Sequence, residues 1–187
     1  TAIILIAASA LNFDLGLPTF LAGLATTLIV LALNRQNPLA TLKGVSWSVL
    51  PLVAGLFVIV EALNKTGLTA MLAAQLSYYA SISAAQTAGA AGFLVALLCN
   101  LVNNLPAGLV AGSAVQAAQV SDKVAGAVLI GVDLGPNLSV TGSLATILWL
   151  SALRREGLHM GAWPFLKLGA VVMFPALILS LAAMVLI

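Results

Sequence analysis

Apolar residues run in long blocks along this chain, and short polar clusters cut the blocks apart. Blocks of this kind predict membrane-crossing helices, since a full span needs about 20 apolar residues. Residues 1–11 form a short first block, which reads as the end of a span whose start lies outside the chain. Asn12-Phe13-Asp14-Leu15-Gly16-Leu17-Pro18 is a turn, and Pro18 suits the first turn of the next helix, where its missing N–H costs nothing. Spans are expected at 18–33 and 47–64, separated by a polar loop from Asn34 to Ser46. Trp47 sits where an interfacial aromatic belongs. Glu61 reads either as a helix-end carboxylate beside Lys65 at i+4 or as a proton-handling group. Residues 68–83 mix Leu68, Met71, Leu72 and Leu76 with Gln75, Ser77, Tyr78 and Tyr79. That spacing and polarity predict a helix lying at the membrane interface.

Two later blocks are interrupted. Residues 84–118 carry small apolar arms of about 15 residues on each side of Asn103-Asn104-Leu105-Pro106, rather short for full spans. This predicts either a re-entrant helical hairpin with Asn103 and Asn104 at its tip, or two spans joined by a turn. A tip without charge favours the hairpin. Residues 122–153 should form one helix, with Ser121 as its N-cap. Its middle, Gly131 to Ser143, instead holds Asp133, Gly135, Pro136, Asn137, Ser139, Thr141 and Gly142. Pro136 removes a backbone donor and the glycines weaken the helix. Freed backbone at membrane depth persists only where protein buries it or a watery cavity meets it. The block therefore reads as a helix broken at mid-bilayer, with halves at 124–130 and 144–153. A last span, 163–187, should kink at Pro175.

Composition settles the class. The chain is 62% hydrophobic and 6% charged, against roughly 25% charged in soluble domains. It is an all-α integral membrane protein; a β-barrel would show alternating segments of about ten residues. The basic residues are scattered over loops, which suits membrane orientation and not nucleic-acid binding. Arg35, Lys43, Arg154, Arg155 and Lys167 fall on one side, and Lys65 and Lys123 on the other. The first side is then cytoplasmic, the hairpin enters from outside, and Ile187 ends outside. The apolar start lacks the basic region of a signal peptide, and the chain reads as a piece of something longer. Cys99 stands alone, so neither an internal disulfide nor a cysteine metal site is expected.

The interruptions supply the candidate chemistry. Asn103, Asn104, Asn137, Ser139, Thr141 and Ser143 offer hydrogen-bonding groups suited to a small, oxygen-rich solute. Asp133 is an intramembrane carboxylate, hence a functional candidate. Desolvation disfavours a charged carboxylate, so Asp133 can serve as a proton carrier; alternatively it caps freed amides or pairs with a basic group elsewhere. No phosphate-binding loop with a lysine and no nucleophile–histidine pair is present, so the chain reads as neither an ATPase nor a hydrolase, and no cofactor is expected. His159 reads as a solvated loop residue.

Gly131 to Leu150, preceded by Asn103-Asn104-Leu105-Pro106, closely resembles the bacterial arsenite/antimonite efflux permeases of the ion transporter superfamily. The likeness extends over essentially the whole chain, but only over the second half of such a permease. It implies an inverted-repeat fold, each repeat holding a re-entrant hairpin and a discontinuous helix. The substrate would lie between two hairpin tips and two breaks. Asn103, Asn104 and Pro106 would form the second tip. Asp133 through Ser143 would form the second break, adding Gly135, Pro136 and Gly142 to the site. The implied substrate is trivalent arsenic or antimony as an uncharged hydroxide, exported from the cytoplasm across the inner membrane in exchange for protons. The implied partners are the absent first repeat, the lipid bilayer, a second copy of the permease, and the separate cytoplasmic ATPase that some members use. Cys99 reads as a buried structural cysteine or a single thiolate contact. Relatives carrying silicate or small organic anions, and a non-transporting scaffold subunit, stand as alternatives.

Overall fold

The computed structural model describes residues 2–11, 13–34, 37–45 and 47–186, with only the backbone at 40 and 41. Thr1, Asn12, Arg35, Gln36, Ser46 and Ile187 lie outside the described residues. So do the expectations placed on them: the start of the turn at Asn12, the cytoplasmic position of Arg35 and the outer end at Ile187. Every regular element among the described residues is helical, and the protein is an all-α membrane protein. The chain divides into two units, Thr1–Val49 and Leu50–Ile187.

The first unit holds α1 (Ala2–Ala10), α2 (Gly16–Asn34) and α3 (Pro38–Gly44). By length and composition α2 is able to cross a membrane. Its Thr26 and Thr27 hydroxyls donate to the carbonyls of Ala22 and Gly23, 2.7 and 2.8 Å away, which removes their need for water. The stretch expected as a polar loop contains α3 instead. Asn37 caps it, its side chain accepting from the Leu39 N–H at 2.9 Å, and Pro38 opens it. An Asn-Pro pair at this position is a helix-start signal that outweighs the polarity of the stretch.

The second unit begins with α4 (Val49–Lys65) and α5 (Leu68–Ile82), bent from one another by 68°. Gly67, at φ 80°, makes the turn with a backbone conformation that suits glycine. Glu61 pairs with Lys65 at 3.4 Å, both exposed. α5 packs on α7 and α6, a protein contact that its mixed polarity does not reveal.

Next come α6 (Ala84–Val102) and α7 (Asn104–Ala118), with Asn103 alone between them. α6 has 19 residues, four more than α7. Ser83 lengthens it by capping its start, accepting from the Gln86 N–H at 3.3 Å. α8 (Asp122–Leu134) runs into a 3-10 turn (Gly135–Leu138), and α9 (Leu144–Arg155) follows. Ser121 occupies the N-cap position of α8 without a side-chain cap bond. The interruption is narrower than the composition suggests, because Gly131 and Asp133 remain helical. The low helix propensity of Gly131 is overridden by packing. α10 (Ala162–Leu186) continues through Pro175.

The core of this unit forms where α6, α8 and α10 meet, around Ala96, Val124, Ala127, Met173, Leu177 and Leu181. Lipid tails are as apolar as leucine, so such a core is held by close packing and not by expulsion of water. Small residues allow that closeness. A Cβ added at Gly131 would fall on the carbonyl of Gly92, and one added at Gly135 on the backbone of Ala96. The other side of the 3-10 turn rests on α10, where a Cβ at Gly169 would meet the Asn137 carbonyl. Large apolar side chains such as Val171, Val172 and Leu179 remain exposed. Gly131→Ala in the full-length protein should cost roughly 1–3 kcal/mol by overpacking. A lowered thermal unfolding midpoint of the purified protein is the expected reading, and an unchanged one would contradict the backbone contact.

Candidate functional site

An open cavity of about 740 Å³ lies between α7, α8, the 3-10 turn and the start of α9. Its walls are mostly apolar. The polar groups on it are Asn104, Asp133, Asn137, Ser143 and Thr146, and no lysine or arginine is among the lining residues. Each group arrives by a different route. Asn104 is the first residue of α7, Asp133 lies in the last turn of α8, and Asn137 stands on the 3-10 turn. Ser143 caps α9: its Oγ accepts from the Thr146 N–H at 3.0 Å and lies 2.9 Å from the Thr146 hydroxyl.

Of the residues picked out by sequence, Asn104, Asp133, Pro136, Asn137 and Ser143 line this cavity. Asp133 and Asn137 are exposed to it, and the Asp133 carboxylate makes no hydrogen bond or ion pair among the described residues. The Asn137 amide donates to the Leu134 carbonyl at 2.9 Å and leaves its oxygen free. Asn103, Pro106, Gly135, Ser139, Thr141 and Gly142 are not on the wall. They build the frame behind it.

That frame is a set of hydrogen bonds joining the α6–α7 turn to the break. The Asn103 side chain donates to the Thr141 carbonyl at 2.9 Å and accepts from the Leu105 N–H at 3.2 Å. The Asn104 backbone N–H donates to the Gly142 carbonyl at 2.8 Å. The Ser139 hydroxyl donates to the Asn100 carbonyl at 3.2 Å. Each bond satisfies a peptide group that a helix end or the break leaves without a helical partner. Gly142 folds onto Pro136, with no space for a side chain. Pro106 is buried at the start of α7.

Sequence reasoning passed over two residues. Asn100 lies within an apolar run and makes four bonds to α6 and the break; a lone amide inside a small-residue helix was the available signal. Thr146 follows the polar cluster by one helical turn, which brings its hydroxyl beside that of Ser143. Cys99 is fully buried on α6 and does not line the cavity. His159 is exposed.

The sequence profile of the family described as arsenical pump membrane protein matches residues 2–187. The chain belongs to the arsenical pump membrane protein family. Relatives of that name from Yersinia enterocolitica and Escherichia coli are 28% and 29% identical over 180 residues, 92% of this chain and 42% of each relative. An uncharacterized transporter of Mycobacterium tuberculosis is 33% identical over 175 residues, 87% of this chain and 38% of its own length. The chain thus spans about two fifths of the length of these relatives. No solved structure matches it. As an arsenical pump family member, this chain carries a mostly apolar cavity wall with a few polar groups on it, and the frame that supports them.

Asn103 pays for its place in backbone strain, at φ 75° and ψ 149°, a region almost reserved for glycine. Asn103→Gly should relieve that strain and lose the side-chain bonds, whereas Asn103→Ala keeps the strain and loses the same bonds. The alanine variant is therefore expected to be less stable than the glycine variant by about 1 kcal/mol. Thermal unfolding of the two purified variants checks the order.

Proposed function

We propose that this chain is the second half of a secondary transporter that exports arsenite or antimonite from the bacterial cytoplasm in exchange for protons. The observation that carries the reading is the set of polar groups on the cavity wall: amides, hydroxyls and a carboxylate with no ion pair among the described residues, and no lysine or arginine among the lining residues. A neutral metalloid hydroxide presents O–H donors and oxygen acceptors, which Asn104, Asn137, Ser143 and Thr146 complement. An anionic substrate would meet Asp133 with no lysine or arginine among the lining residues to offset it. Family membership and the names of the curated relatives support the arsenical substrate.

In this reading Asp133 carries the exchanged proton. Its carboxylate is accessible from the cavity and makes no hydrogen bond or ion pair among the described residues, as suits a group that must gain and lose a proton. The first half of the permease closes the cavity with its own hairpin and break. Asn103 is a structural linker, and Asn104, one residue on, is the substrate ligand.

Everted membrane vesicles holding the full-length permease test this directly. Arsenite should accumulate in wild-type vesicles under an inside-acid gradient. Asp133→Asn should lose accumulation by tenfold or more at equal protein level. Asn104→Ala should raise KM up to about tenfold, the worth of one or two neutral hydrogen bonds. No uptake by the wild type would overturn the substrate, and full activity in both variants would move the site elsewhere.

The charge pattern supports a cytoplasmic Arg154–Arg155 loop and an outer Asp122–Lys123 turn. In intact cells, an impermeant thiol reagent should label Asp122→Cys and leave Gly157→Cys untouched. The opposite pattern would invert the topology.

A further inference from the structure

In a continuous α-helix the N–H of Ser139 would donate to the carbonyl of Gly135, four residues back. Here another residue occupies both positions. The Asn100 side-chain oxygen accepts from the Ser139 N–H at 2.9 Å, and the Asn100 amide nitrogen donates to the Gly135 carbonyl at 2.7 Å. Its second amide hydrogen goes to the Ala96 carbonyl on its own helix, at 2.9 Å. One side-chain amide from α6 therefore stands between the two halves of a helix-ladder bond and satisfies each of them.

We propose that Asn100 is a positioning residue for the transport site, holding the α8–α9 helix open by substituting for one bond of its ladder. Pro136 alone does not impose this shape. It removes its own N–H and crowds the carbonyl of residue 132, but leaves Ser139 free to bond Gly135. The outside donor–acceptor pair of Asn100 keeps those two groups apart and bonds both of them. Asn137, the polar side chain that the 3-10 turn presents to the cavity, lies between the two points that Asn100 holds. Asn100 stands on the helix that leads to Asn103, so the clamp also ties the break to the α6–α7 turn. Among the described residues five hydrogen bonds cross between the two, and Asn100 takes part in three.

The functional role rests on the transport reading above; the structural role does not. Hydrogen–deuterium exchange of the full-length permease in lipid nanodiscs reads the Ser139 amide without any substrate. Asn100→Leu keeps the size and removes both bonding groups, while Asn100→Asp keeps the acceptor for Ser139 and loses the donor. Exchange at Ser139 should rise tenfold or more in Asn100→Leu and stay within about threefold of wild type in Asn100→Asp. A packing role alone would give the reverse order, since a buried carboxylate disturbs an apolar contact more than leucine does. If the leucine variant fails to accumulate, the aspartate variant decides alone: tenfold faster exchange at Ser139 there overturns the proposal. In wild-type vesicles that accumulate arsenite, Asn100→Leu should raise KM at least fivefold, and an unchanged KM would overturn the positioning role. Vesicles in which even the wild type takes up no arsenite would refute the substrate while leaving the exchange result on Asn100 intact.

Discussion

The backbones of α6 and α8 touch because Gly92 and Gly131 carry no side chains, and Gly135 repeats the contact one turn later against Ala96. At that separation a short side chain on α6 reaches the peptide groups of the neighbouring helix. Asn100, one turn beyond Ala96, meets the break at Gly135 and Ser139. If the helices stood one methyl group further apart, the freed groups would have no partner, and unsatisfied peptide groups cost several kcal/mol each in lipid. The polar interruption is tolerable only because the apolar contact beside it is so close.

The same arrangement divides the polar residues into two kinds. Those at the seam between α6, the α6–α7 turn and the break, chiefly Asn100, Asn103 and Ser139, spend their bonds across that seam. Those facing the cavity, Asn104, Asp133 and Asn137, keep bonding capacity in reserve. The proposed site uses both: groups with bonding capacity toward the cavity, and a bonded layer behind them that fixes their positions. The 3-10 turn lies between α6 and α10 and opens toward the cavity, so its irregular backbone is either packed against protein or lines a cavity.

Much of the fold was legible in local pattern. Apolar blocks of span length, the Asn-Leu-Pro at the head of α7 and the Gly-Pro-Asn inside 122–153 all act through backbone preferences that operate within a few residues. The errors were local as well. The polarity of residues 34–46 hid the Asn37-Pro38 helix start, and Ser83 added a turn to α6 that the small-residue pattern did not show. Gly131 and Asp133 looked like part of the interruption, yet packing on Gly92 keeps α8 helical to Leu134.

The sequence by itself determined the membrane class, the all-α fold and the two places where polar residues cut an apolar run, because hydrophobicity and proline chemistry are properties of short segments. Only the tertiary structure decided which of those polar residues face the cavity and which brace it. Asn103 and Asn104 are neighbours of identical type, yet one is bonded to the break through its side chain and the other turns toward open space. That difference arises from the direction in which each side chain leaves a helix end packed against a second helix. No pattern along a single strand of residues carries it.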